Sequence, residues 1–248
     1  MIYELEDRTK AAELFEGWNE KIIYSCLQNI MGKIYVDNPD DPGSACAILN
    51  CFGFYAGKPN LELLFNNEKY FIAVPRSEKW NQAIKSEFPH SLQITRFATK
   101  KNTCFDVERL KNNIKKLPNG YSISEINSEL YDACMNDHMA SAFVSSYENK
   151  ESYQKLGMGF VILKNNRIVS GASSLSTYNG GIEIEVNTKE SERRKGLAAA
   201  ACSALILKCL SKNIYPSWDA HNVESLSLAE KLGYEFSHAY TAFEIKNT

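Results

Sequence analysis

The chain is 248 residues long, enough for one large domain or two small ones, with a core that needs no disulfide or metal staple. A formal net charge of −2 removes the electrostatic case for nucleic acid as a partner. Seven cysteines without a CxxC pair read as reduced thiols rather than a disulfide framework or a zinc site, so no metal is expected. The acidic opening Met1-Ile2-Tyr3-Glu4-Leu5-Glu6-Asp7 has no apolar core and does not read as a signal peptide. The longest apolar stretch, residues 197–207, is too short to span a membrane, and the expectation is a cytoplasmic protein with no membrane partner.

In chain order, residues 9–30 carry Leu14, Trp18 and Ile22 at helical spacing and predict an amphipathic helix. After the turn cluster Pro39-Asp40-Asp41-Pro42-Gly43, residues 45–55 and 70–74 are strand-like. Residues 93–99 predict another strand and 106–117 another helix. Leu117-Pro118-Asn119-Gly120 breaks the pattern and divides the chain into an N-terminal α/β domain, residues 1–117, and a second domain, residues 121–248. The second domain opens with a helix over 124–137, then a hairpin, 160–163 and 168–173, turned at Asn165-Asn166. A strand through Glu183, an Ala-rich helix over 197–210, a short strand over 215–218, a helix opening at Asn222 and strands over 234–245 complete it. There is no internal repeat. This order predicts a mixed α/β sheet flanked by helices in the C-terminal half, beside a smaller α/β N-terminal domain.

The start of the Ala-rich helix is built against ordinary helix design. Arg193, Arg194 and Lys195 crowd the end where the dipole and free N–H groups favour an anion, and Gly196 is a poor helix former. A short basic run is usually a solvated face. Here the placement makes sense if a phosphate docks on the backbone amides of Gly196, Leu197 and Ala198. The preceding strand, Gly181 to Thr188, completes a strand, cationic turn and helix suited to a pyrophosphate.

Arg193-x-x-Gly196-x-Ala198 resembles the acetyl-CoA loop of the GNAT N-acetyltransferase superfamily. Trp218-Asp219-Ala220-His221-Asn222-Val223-Glu224-Ser225, followed by Lys231-Leu232-Gly233-Tyr234, is similar to the family's segment in which an Asn opens a short helix. The resemblance covers roughly residues 121–245, and its wording is similar to the branch containing the zwittermicin-resistance acetyltransferases. It implies acetyl-CoA as co-substrate, held by the Arg193–Ala198 loop, by a splayed edge at Val186, Asn187 and Thr188, and by side chains of Asn222 and Ser225. Asn222 also reads as a helix N-cap, with Glu224 in the first turn and Gly233 at the end.

Glu183 and Glu185 alternate with Ile182, Ile184 and Val186, which gives the strand one acidic face. A water-facing edge strand would look the same, but a strand feeding the cofactor helix should be central and covered on both faces. A carboxylate there is costly unless used, and burial raises its pKa toward that of a general base. His221 is the alternative base; Cys202 and Cys209 read as core. Where many family members carry a Tyr that protonates the leaving thiolate, this chain has Ala229.

The expectation is an N-acetyltransferase acting by direct attack of a primary amine of a small molecule, with the N-terminal domain recognising that acceptor. Phe52-Gly53-Phe54-Tyr55 is either a pocket wall or ordinary core. A homodimer is compatible with these features. A non-catalytic acyl-CoA sensor and an interaction module on the same scaffold are the alternatives.

Overall fold

The computed structural model describes residues 1–65 and 69–246. They form two compact units, Met1–Arg96 with the segment from Ala239 onward, and Phe97–His238. The first contains β1 (Tyr3–Glu4), a 3-10 helix (Arg8–Phe15), α1 (Lys21–Leu27), β2 (Lys33–Val36), β3 (Ser44–Leu49), β4 (Phe52–Gly57), β5 (Tyr70–Pro75) and α2 (Glu78–Glu87). Strand β6 (Leu92–Thr99) carries the chain across the division.

The second unit continues with α3 (Val107–Lys115), β7 (Tyr121–Glu125), α4 (Ser128–Met135), a 3-10 turn (Ala140–Phe143) and α5 (Lys150–Leu156). Then come β8 (Gly159–Lys164), β9 (Arg167–Tyr178), β10 (Gly181–Thr188), α6 (Leu197–Ser211), β11 (Tyr215–Ser217), β12 (Asp219–Ala220) and α7 (Val223–Leu232). The last strand, β13 (Phe236–Lys246), returns to the first unit, where Phe243 lies opposite Ala73 of β5.

Within the first unit β1 to β5 stand side by side in chain order, with β4 and β5 parallel and β13 antiparallel to β5. Tyr55, Trp80, Ile84 and Phe243 share one core cluster, whereas Phe54 packs edge-on against Trp18. Phe54 and Tyr55 are thus buried core residues.

The second unit has the strand order β11-β10-β9-β8-β7, so β10 is interior as its sequence position suggests. Ile182, Ile184, Ala200, Ala201, Leu205 and Trp218 join α6 to this sheet in one core. In this unit α3, α4, α5 and α7 begin with the same device: Asp106, Asn127, Asn149 and Asn222 each accept a hydrogen bond from the N–H three residues on.

Several sequence expectations are corrected. The helix over 9–30 is interrupted at Gly17, whose φ of +73° turns the chain between the 3-10 helix and α1. Residues 45–55 fold back as the β3–β4 hairpin at Asn50, whose φ is +51°. The helix over 124–137 starts late, because residues up to Glu125 pair with β8. The terminal segment is one strand, and β2, α2 and α5 had no counterpart in the sequence reading. Residues 117–120 lie inside the second unit: Leu110, Leu117 and Tyr121 pack on one core on both sides of them.

Candidate active site

The site is built where two strands part. β10 pairs antiparallel with β9 along its whole length, from Gly181 opposite Tyr178 to Thr188 opposite Ser170. Its parallel pairing with β11 covers only Gly181, Ile182 and Glu183, opposite Tyr215, Pro216 and Ser217. Beyond Glu183 the β11-side edge of β10 has no strand partner among the described residues. Lys189 N–H donates to the Val169 carbonyl at 2.9 Å, which sets odd positions toward β9. By alternation Val186 and Thr188 present their N–H groups to the open edge. That of Thr188 donates to Asn187 Oδ1 at 2.8 Å, and the Thr188 hydroxyl bonds Ser170 at 2.7 Å. Of the three expected edge residues, Val186 therefore offers its amide to the gap, and Asn187 turns its own toward β9.

The same strand leads through Glu190–Glu192, a 3-10 turn, into α6. Gly196 is the N-cap, left-handed at φ +79°, with no side-chain cap and no acidic residue in the first turn. A Cβ built on Gly196 would meet nothing within 4 Å, so the space beside the helix start at Gly196 is open, and the first N–H groups of α6 have no partner within the helix. Arg193 and Arg194 are exposed, and no carboxylate among the described residues pairs with them. These features fit a bound pyrophosphate.

Lys195 is engaged elsewhere. It donates to Glu192 at 2.7 Å, and Glu192 also accepts from Lys164 at 3.0 Å and Tyr121 at 2.5 Å. Lys195, Tyr121 and Lys164 together hold the Glu192 carboxyl down at about 2. The groove beside this turn, about 440 Å³, is lined by Lys164, Arg167 and Lys189 among others. Lys189 is paired with Asp137 at 2.8 Å.

Glu183 stands at the fork itself and is 3% exposed. Neither of its oxygens makes a hydrogen bond, nor do the hydroxyls of Ser176 and Ser217, its register partners on the two neighbouring strands. Burial pushes the Glu183 carboxyl above the usual carboxylate range. The Lys101 ammonium opposes that shift and the Asp219 carboxylate adds to it, while the Ser217 hydroxyl and the Asp219 N–H approach without bonding geometry. Glu185, two residues on, is partly buried and lies opposite Ser173. His221 is exposed, in the step between β12 and α7, unlike buried Glu183.

Asn222 is the N-cap of α7, its Oδ1 accepting from Ser225 N–H at 2.8 Å, while the Ser225 hydroxyl accepts from Trp218 Nε1 at 3.2 Å. Ala229 is fully buried. The Tyr234 hydroxyl donates to the Pro216 carbonyl at 2.6 Å, and burial pushes it well above the usual phenol range. Cys202 and Cys209 lie in the α6 core, where burial pushes the Cys209 thiol up to about 12. Lys101, Ser176 and Ser217 had no signal in the sequence, because only strand pairing brings them to Glu183.

A model of the GNAT acetyltransferase family matches residues 12–243. A GCN5-related N-acetyltransferase-like protein of Streptococcus suis is 42% identical with a TM-score of 0.93, over 96% of this chain and 98% of that one. YdfB of Bacillus subtilis, described as an uncharacterized N-acetyltransferase, is 27% identical over 241 residues, 89% of this chain and 88% of that protein. The tandem GNAT protein from the clavulanic acid biosynthesis pathway shares the fold at 10% identity and a TM-score of 0.54, over 99% and 98% of the two chains. No described helix is long and apolar enough to cross a membrane. Members of the matched family use acetyl-CoA, and with that match spanning nearly the whole chain, the protein belongs to the GNAT acetyltransferase family and is an N-acetyltransferase.

Proposed function

We propose that the protein moves an acetyl group from acetyl-CoA to a primary amine of a small molecule by direct attack, and that it belongs to the branch of the zwittermicin-resistance acetyltransferases. The observation that carries this reading is the fork: β10 and β11 part at buried Glu183, and the open edge runs into the uncapped start of α6. Acetyl-CoA supplies the acetyl group as an activated thioester. Arg193, Arg194 and the free N–H groups of α6 hold its pyrophosphate, with Asn222 and Ser225 beside the other strand. Glu183 takes the proton from the acceptor amine, with Glu185 and then His221 as the next candidates. Val186 N–H donates to the acetyl oxygen as negative charge develops there, an interaction whose loss typically costs about 100- to 1,000-fold.

With alanine at 229 and the Tyr234 hydroxyl committed to Pro216, solvent water protonates the departing thiolate. A thiol with a pKa near 8.5 also leaves readily as its anion. Cys202 and Cys209 on α6 are a poor alternative as nucleophiles, because burial keeps both protonated. Acceptor recognition is assigned to the first unit, within the N-terminal part expected to carry it, since the transfer chemistry is accounted for by the unit that holds β10 and α6. Calorimetry with acetyl-CoA, followed by thioester cleavage against a panel of amino acids, polyamines, peptide amines and aminated antibiotics, tests the proposal. Binding without cleavage for any amine would leave a sensor, and no binding would leave only a scaffold.

A further inference from the structure

We propose that Lys101 is a positioning residue for the reaction: its ammonium is the counter-charge that keeps the Glu183 carboxylate ready to accept a proton. This rests on Glu183 as the base. Lys101 follows β6 and is held by Trp218, the residue between β11 and β12. Its Nζ donates to the Trp218 carbonyl at 3.1 Å, and the buried Thr99 hydroxyl donates to the same oxygen at 2.6 Å. Trp218 sits between Ser217, the register partner of Glu183, and Asp219. The backbone that flanks Glu183 therefore also anchors the cation.

A fully buried carboxylate without a hydrogen bond cannot stay ionised on its own account. The groups around it are Lys101 after β6, Asp219 on β12, the hydroxyl of Ser217 on β11, Ser176 opposite it on β9, and Tyr234 after α7. Glu185 lies further along the same strand. Lys101 is the one cation in this set, and Asp219 works against it. Tyr234 is neutral and already donates to Pro216. Without Lys101, the proton of Glu183 would be retained to higher pH and the amine would find its acceptor filled.

The test titrates Glu183 directly in the protein without substrate, using carboxyl-labelled glutamate and NMR, with the Glu183 signal identified by its loss in Glu183→Gln. Lys101→Gln keeps a donor for the Trp218 carbonyl and removes only the charge; Lys101→Arg keeps the charge. The expected result is a Glu183 midpoint about one pH unit higher in Lys101→Gln and near wild type in Lys101→Arg. In the transfer reaction, with the amine found by the panel, the acid limb should move by the same amount. An unmoved midpoint in Lys101→Gln, or an equal shift in Lys101→Arg, overturns the proposal. Retention of the acid limb in Glu183→Gln overturns instead the assignment of the base, a separate reading.

Discussion

Glu183 and Ser217 face each other across the last paired step of β10 and β11, and past them the two strands separate. A sheet normally satisfies its interior by pairing and fills its faces with apolar side chains. At this step it holds a carboxylate and two hydroxyls with no hydrogen bonds. Each such group costs about 1–3 kcal/mol, more when charged, so the arrangement weakens the fold, as is expected of a step proposed for chemistry rather than for packing.

Glu183→Gln should therefore stabilise the protein at neutral pH. Burial raises the folded-state pKa of Glu183, so between the unfolded value and the raised one the native state binds more protons than the unfolded state. Wild-type stability contributed by this group is present below the unfolded pKa and falls as pH rises through the folded one. The variant removes that loss. Thermal unfolding should show a higher midpoint for Glu183→Gln at pH 7 and above, with the difference vanishing near pH 4. A lower midpoint at neutral pH would mean that the carboxylate is stabilised by partners in solution.

Glu192 has the opposite sign. Lys195, Tyr121 and Lys164 depress its pKa to about 2, so it contributes stability above the unfolded carboxylate value that is lost as pH falls through about 2. Glu192→Gln should lower the unfolding midpoint at pH 7 and converge with wild type near pH 2. It should also release Lys195 toward the α6 start and tighten acetyl-CoA binding modestly. Calorimetry at low salt checks the second effect, and unchanged affinity would assign Lys195 a structural role only.

Gly196 separates conformation from charge. At φ +79° any L-residue is strained by roughly 1–2 kcal/mol, although a Cβ meets no neighbour. Gly196→Ala should lower stability by that amount. Gly196→Glu bears the same strain and adds a carboxylate where the pyrophosphate is placed. Acetyl-CoA affinity should fall at least about tenfold further in the Glu variant than in the Ala variant, an extra loss of about 1.4 kcal/mol. Equal affinities in the two variants would remove the phosphate from this helix end.

Much of the second unit was legible in the sequence because its signals are local. Asn165 and Asn166 both take positive φ, at +49° and +59°, the conformation that Asn tolerates in a two-residue hairpin turn. The α6 start could be read from cations placed against a dipole, and the interior position of β10 from the helix it feeds. What could not be read depends on distant pairing. β7 is a strand because β8 lies beside it, although the residues after it are helical. The helical spacing of Leu14, Trp18 and Ile22 runs through Gly17, where the backbone departs from it. Lys101 donates to the carbonyl of Trp218, the residue next to the register partner of Glu183, a placement that no spacing records.

The loop at residues 117–120 should resist limited proteolysis as a linker. Leu117 and Tyr121 pack on the core shared with α6, and the Tyr121 hydroxyl donates to Glu192 at 2.5 Å. A nick at Gly120 should leave the two pieces associated in a sizing column. Release of a separate folded fragment beginning near Tyr121 would instead support a domain boundary there.

Val186→Pro tests the oxyanion donor without touching a side chain that acts in the reaction. Proline removes one backbone N–H and is tolerated in a strand only where that N–H is not used by the sheet. At Val186 the N–H points away from β9 into the gap, so the β9 pairing survives; at Asn187 it points into the sheet, so Asn187→Pro should unfold the strand. Glu185, the residue before the new proline, is already extended and suits that position. Val186 also packs on the α6 core, and the smaller ring should cost some stability, measurable as a modest fall in unfolding midpoint. If the Val186 amide stabilises the charge on the acetyl oxygen, kcat should fall by about 100- to 1,000-fold in Val186→Pro. Acetyl-CoA affinity should fall much less, because the phosphate contacts on α6 are untouched. An equal loss in affinity and kcat would show that the amide holds the cofactor arm in the ground state, and a wild-type kcat would move the donor to another residue of the fork.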